Sequence, residues 1–278
     1  MKKRLLSIAV GLVLLAGILA MIDTVVIPIA ASIVGAIAIF ELTRALGLND
    51  NKLFFILFSL AHCYNMFILP DGFYFTFVLL FIMFCLTMFC KNRHYLFKEG
   101  AAAFAGIVLI TSGFRAIITI ENHAPNAADA RFMIIMAMCL GWICDTFAFI
   151  FGKLFGKKKL CPEISPNKTV AGAVGGIVGT AIFTAAAFGI YALKCSEGSL
   201  FCGMVMPIHI AFYGAIGLVG SIVGIVGDLS ASYIKRECGI KDFGNIMPGH
   251  GGALDRFDSV LFTGVFASLV YGLFIKIF

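Results

Sequence analysis

Between residues 228 and 258 the chain gathers carboxylates, cations, a hydroxyl and glycines in an order that suits phosphate chemistry. From Asp228 to Glu237 no helix breaker intervenes, and Gly239 is the first. Continued as a helix, this stretch sets Asp228, Ser232, Lys235 and Arg236 at i, i+4, i+7 and i+8, so that one carboxylate, one hydroxyl and two cations share a face. A glycine-rich loop follows, with Lys241, Asp242 and Gly244, then Pro248, Gly249, His250, Gly251 and Gly252. Glycines let a backbone come close to a ligand, and successive N–H groups can form a nest for an anion. The loop closes on Asp255, Arg256 and Asp258, and the two carboxylates, three apart, share a face at the start of a helix. Asp228 and Asp255 are candidate Mg2+ ligands, since that ion usually takes one or two protein carboxylates together with phosphates and waters. Lys235, Arg236, Lys241 and Arg256 are candidate phosphate contacts, Arg as a bidentate fork and Lys as a point charge. A basic loop alone would be an ordinary membrane-topology signal; the ordered combination favours a site.

A second charged window begins at Asp145, in or at the end of an apolar run. An ionisable group there costs about 2.5–3.5 kcal/mol on insertion scales and is a functional candidate by default. Beyond it lie Gly152, Lys153, Gly156, the triplet Lys157, Lys158 and Lys159, and then Ser165, Pro166, Asn167, Lys168 and Thr169. Ser165, Lys168 and Thr169 suit a second anion-contacting loop. The lysine triplet serves equally well as a topology signal or a contact with anionic headgroups.

These two windows resemble the CDP-diacylglycerol synthase family, the phosphatidate cytidylyltransferases. The likeness rests on Ser232, Ile234, Lys235, Arg236, Lys241, Asp242, Gly244, Pro248, His250, Gly251, Gly252, Asp255, Arg256, Phe257 and Asp258. Upstream it rests on Asp145, Phe155, Gly156, Lys157, Ser165, Pro166, Lys168 and Thr169. Ala171 stands where that family often has Glu or Gln, and Met247 and Ala253 are milder departures. The resemblance implies transfer of the cytidylyl group of CTP to phosphatidate, releasing pyrophosphate. Asp228, Lys235, Arg236, Lys241, Asp255, Arg256 and Asp258 are then the expected catalytic residues. Asp145, Ser165, Lys168, Thr169, Ser232, His250, Gly251 and Gly252 are expected to bind substrate. Asp228 and Asp255 would hold Mg2+, as one ion or in a two-metal arrangement. Phosphatidate brings its own ionised nucleophile, so His250 is expected to hydrogen-bond or support the loop rather than act as a base. The family also implies a possible homodimer.

Positioning these loops is the task of a membrane scaffold. Of 278 residues, 61% are hydrophobic and only 13% charged, with a mean hydropathy of +1.02. A soluble domain carries about 25% charged residues, which excludes a soluble enzyme, a disordered chain and a nucleic-acid-binding domain despite the net charge of +6. The sequence predicts an all-α, polytopic membrane protein of about nine spans: Leu5–Met21, Thr24–Phe40, Leu53–Leu69, Phe73–Cys90, Gly100–Ile120, Phe132–Gly152, Val170–Leu193, Cys202–Gly227 and Ser259–Phe278. Residues 1–99 read as scaffold, and residues 100–278 as a catalytic region with loops 153–169 and 228–258. With nine spans nearly all Lys and Arg fall on the side of the N-terminus, which the positive-inside rule makes cytoplasmic. The active site is then expected to face the cytoplasm, in a bacterial cytoplasmic membrane. Ile18 is a poor small residue for cleavage after Ala20, so the first helix is expected to remain.

The nine cysteines include no C-x-x-C pair and build no zinc site; Cys195 and Cys202 could pair in an oxidising space, though free thiols fit better. His62 and His209 fall within spans and read as packing residues. Two rivals remain. A CTP-dependent polyprenol or lipid kinase would release CDP instead of pyrophosphate. A transporter would use Asp145 and Arg115 as pathway charges, yet the charges gather in two loops rather than at the membrane midplane.

Overall fold

Hydrocarbon offers no partner to a bare N–H or C=O, so an apolar chain of this length satisfies its backbone internally, in helices. The computed structural model describes residues 2–48, 52–67, 77–78, 80–85, 97–195, 198–246 and 251–277. Its helices are α1 (Lys2–Ala20), α2 (Val26–Ala45), α3 (Lys52–Phe67), α4 (Phe97–His123), α5 (Ala127–Phe155), α6 (Val170–Lys194), α7 (Pro207–Glu237) and α8 (Leu254–Ile277). Residues 77–78 and 80–85 are also helical. A two-stranded antiparallel hairpin, β1 (Lys159–Cys161) and β2 (Ser165–Thr169), lies between α5 and α6.

The expected nine spans are corrected. Among the described residues six helices are long and apolar enough to cross a membrane: Val26–Ala45, Phe97–His123, Ala127–Phe155, Val170–Lys194, Pro207–Glu237 and Leu254–Ile275. Of the expected span Leu53–Leu69, residues 53–67 lie in α3, a shorter apolar helix, and the remainder lies outside the described residues. Of the expected span Leu5–Met21, Ala9–Ala20 is described as a shorter apolar helix within α1. Most of Phe73–Cys90 lies outside the described residues. The architecture is nonetheless that of a polytopic helical membrane protein.

The chain divides into two compact units, one of residues 1–119 and 235–257, the other of residues 120–234 and 258–278. In the second unit small residues let helices approach closely, as membrane packing requires. A Cβ added at Gly176 on α6 would come 2.8 Å from the Cys144 carbonyl on α5, and one at Gly141 2.7 Å from Ser259 Oγ on α8. Thr263 Oγ1 donates to the Ala137 carbonyl at 2.8 Å, tying α8 to α5. At the other end of this unit Asp129, fully buried, accepts from Tyr191 Oη and Ser199 Oγ, each at 2.6 Å, and from the Leu200 N–H at 3.0 Å. Cys195 and Cys202 are free thiols in that region.

The first unit is held by polar groups that meet inside it. His62 lies between the Ala31 carbonyl and Thr111 Oγ1, a packing role as its place in an apolar run suggests. Arg115 donates to the Asn65 carbonyl at 2.8 Å and the Met66 carbonyl at 3.4 Å, the last turn of α3. This charge closes a helix end, where carbonyls lack partners.

Gly176→Val, which forces a side chain into the Cys144 carbonyl, is expected to cost roughly 1–3 kcal/mol of stability. Gly189→Ala, on the same helix with nothing within 4 Å of its added Cβ, should leave the thermal midpoint unchanged or slightly higher. Thermal unfolding of the detergent-solubilised variants checks both.

Candidate functional site

In the unit of residues 120–234 and 258–278, the hairpin sets one lysine among carboxylates. Its register pairs Lys159 with Thr169 and Cys161 with Ser165. Strand β2 runs directly into α6, and Thr169 caps that helix by accepting the Gly172 N–H at 3.1 Å. Gly156 must be small here, since an added Cβ would meet Thr169 Oγ1 at 2.6 Å. The Phe-Gly-Lys turn is therefore the surface on which the cap rests.

Lys168, one residue before the cap, forms ion pairs with Asp228 of α7 and with Asp145 of α5, the latter at 3.9 Å. Burial works against the ammonium charge. Asp228 by charge and hydrogen bond, with Asp145 and Asp258 by charge, more than offsets it and holds Lys168 above the ordinary lysine range. A cavity of about 530 Å³ opens beside the cluster, lined among others by Asp145, Lys153, Lys159, Asn167 and Lys168. Such a concave site, with three lysines and a carboxylate at the end of membrane helices, can take a phosphorylated headgroup or nucleotide phosphates.

Of the residues predicted from sequence, this unit brings together Asp145, Lys168 and Asp228, with Asp258 exerting its charge on Lys168. Thr169 lines the cavity but spends its hydroxyl as a helix cap. Ser165 pairs at the far end of the hairpin from Lys168 and does not line the cavity. Ser232 is half-buried on α7. Lining residue Asn167 was not singled out by type or spacing; its place beside Lys168 on β2 was the available signal.

The other unit holds the last loop. Helix α7 continues through Glu237, and Lys235, buried, donates to Asp255 Oδ1 at 2.8 Å. Asp255 Oδ2 accepts the N–H groups of Phe243 at 2.8 Å and Gly252 at 3.0 Å. Gly251 has φ +82°, and a Cβ there would come 2.9 Å from the same oxygen, so its identity follows from both conformation and space. Lys235 and Asp255 thus knit the loop together. Lys241, Asp242, Arg236 and Arg256 are exposed, and Arg236 donates to the Ile240 carbonyl at 3.2 Å. His250 lies outside the described residues.

One buried carboxylate in this unit escaped the sequence reading. Glu41 of α2 accepts the Ala253 and Leu254 N–H groups at 3.1 and 2.9 Å. Its signal was a lone acid just past an apolar run, where ionisable groups are rare.

The donor chemistry can be tested against a divalent cation. Among the described residues, no three His, Cys, Asp or Glu side chains are grouped to hold a metal by themselves. Asp145 and Asp228 converge on one ammonium and are hard oxygen donors of the kind Mg2+ uses alongside phosphates. Asp255 fits poorly, because both its oxygens already accept donors.

The sequence pattern of the cytidylyltransferase family matches residues 2–274. The chain is also similar to curated phosphatidate cytidylyltransferases. It is 38% identical over 189 residues to that of Staphylococcus saprophyticus, 34% over 193 residues to that of Staphylococcus haemolyticus, and 33% over 193 residues to that of Staphylococcus aureus. Each match covers 66% of this chain and spans 63% of the relative's own length.

Asp255→Ala would leave the Lys235 ammonium buried without its carboxylate, at an expected cost of about 3–5 kcal/mol. Lys241→Ala, at an exposed position, should leave stability within about 0.5 kcal/mol. Thermal midpoints of the two variants in the same detergent test the contrast.

Proposed function

The chain belongs to the cytidylyltransferase family, and from that premise we propose that it transfers the cytidylyl group of CTP to phosphatidate, giving CDP-diacylglycerol and pyrophosphate. A non-bridging oxygen of the phosphatidate phosphate attacks the α-phosphorus of CTP. The bond from that phosphorus to the oxygen bridging the α- and β-phosphates breaks, and pyrophosphate leaves with the electron pair. The nucleophile arrives ionised, so no side chain need remove a proton. What the protein must supply is positioning and positive charge, the main terms in phosphoryl transfer.

The observation that carries the reading is the Asp145–Lys168–Asp228 cluster beside a cavity lined by further lysines. Lys153, Lys159 and Lys168 are assigned to phosphate oxygens, and Lys241, Arg236 and Arg256 to further phosphate contacts. Asp228 and Asp145 are the residues that would hold Mg2+, with Asp258 adding negative charge nearby. When bound, Mg2+ would neutralise phosphate oxygens and favour the departure of pyrophosphate. Asp255 and Lys235 are assigned to holding the loop, and no second ion is assigned. A membrane enzyme suits this reaction, because the acyl chains stay in the bilayer while the headgroup reaches the helix ends. Lys153 lies in the last turn of α5, and Lys157, Lys158, Lys159 and Lys168 lie between α5 and α6, a grouping of cations that supports a cytoplasmic site in a bacterial cytoplasmic membrane.

The test is a product assay on the detergent-purified protein with dioleoyl phosphatidate and CTP labelled on the α-phosphate. Mg2+-dependent label in a lipid, with release of pyrophosphate, is the expected result. Asp228→Asn should lower the rate at least about a hundredfold if it carries both the ion and Lys168. CDP as the released product, with a polyprenol or lipid acceptor phosphorylated, would replace this reading with a kinase. No labelled lipid with both substrates present in the micelles would overturn it.

A further inference from the structure

The segment 241–257 carries motif residues assigned to substrate, yet one of its anchors comes from a helix outside both charged windows. Glu41 is only 1% exposed, and its two carboxylate oxygens accept one N–H each, Oε1 from Ala253 and Oε2 from Leu254. These N–H groups open α8, where the first donors of a helix have no partner within it and the dipole favours an anion. One turn further along α2, Arg44 donates to the Phe243 carbonyl at 2.7 Å. Helix α2 therefore grips the loop twice, near Phe243 and at the start of α8.

Two motif glycines follow from this grip. At Gly252 the three atoms nearest an added Cβ are all of the Glu41 carboxyl group, and at Gly244 the two nearest are. In each case the Cβ would fall well inside van der Waals contact. Neither glycine has a positive φ, unlike Gly251. Size, not backbone freedom, requires glycine at 244 and 252, and what needs the space is a carboxylate some two hundred residues earlier in the chain. Asp255 meets the same backbone from the other direction, through the N–H groups of Phe243 and Gly252. Its charge is answered by Lys235, while that of Glu41 is answered by the start of α8.

We propose that Glu41 is a positioning residue of the transfer reaction: it holds the loop bearing Lys241, Gly251 and Arg256 in place through the N-terminus of α8, and Gly244 and Gly252 are glycines to admit it. The inference rests on the function proposed above. Glutamine at 41 keeps the size but must turn its NH2 toward one of two N–H donors, so it loses an acceptor and sets donor against donor. Aspartate keeps both oxygens and withdraws them by one methylene.

The experiment is a mutant cycle in the full-length protein, measuring turnover, the KM for each substrate and amide exchange of peptides covering residues 240–246 and 251–257. Glu41→Gln is expected to lower kcat about tenfold while KM for CTP and phosphatidate stays within about threefold. Gly252→Ala should cost about fivefold in an otherwise unchanged chain, but less than about twofold once Glu41→Ala has emptied the space, a coupling that independent sites do not show. If Glu41→Ala does not survive extraction, Glu41→Asp takes its place in the cycle. Exchange at Ala253 and Leu254 should rise in Glu41→Gln whether or not the protein turns over. Multiplicative losses in the cycle, full turnover in Glu41→Gln, or unchanged exchange would overturn the proposal. No labelled lipid from the unmodified protein, with exchange still raised by Glu41→Gln, would instead remove the proposed function and leave the anchoring of the loop intact.

Discussion

A charge taken out of water at the edge of a bilayer costs several kcal/mol unless a partner meets it, and the loops of this protein are arranged around that demand. Lys168 is met by Asp228 and Asp145, and Lys235 by Asp255. Arg115 is met by the carbonyls ending α3, and Glu41 by the N–H groups opening α8. Asp129 is met by Tyr191, Ser199 and the Leu200 N–H. In each case the charge orders a helix end or a turn, so charge satisfaction and loop shape have one physical origin.

The same arrangement separates two kinds of charged residue that look alike on paper. Lys235 and Asp255 satisfy one another and the loop backbone, which makes them structural supports. Lys153 and Lys159 are exposed and line a cavity beside a partly open carboxylate cluster, where a phosphate can still reach them. Arg115, the pathway charge a transporter would use, donates through Nη1 to carbonyls at a helix terminus.

Close packing depends on small residues as much as the loops depend on charge. Gly176 and Gly141 admit neighbouring backbone and side chains, with van der Waals contact replacing the hydrophobic effect that lipid cannot supply. Gly156 and Gly252 do something different: one gives a capping threonine its seat, and the other gives a buried carboxylate its room.

Composition by itself determined that this is a helical membrane protein, because too few polar side chains exist to face water and lipid leaves helices to satisfy the backbone. The spacing of Asp228, Lys235, Lys241 and Asp255 marked the last loop, and Asp145 with Lys168 marked the hairpin, since ionisable groups in so apolar a chain stand out. Span number was less legible: hydropathy registers an apolar run, whereas six of the described helices combine that with the length a crossing requires. Tertiary structure alone decided that Asp255 is occupied by Lys235 and two N–H groups, and that Lys168 is the lysine set among the carboxylates. It alone decided that Glu41 reaches Ala253 and Leu254. Local spacing says which side chains share a helix face, but partners some two hundred residues apart meet only when helices pack.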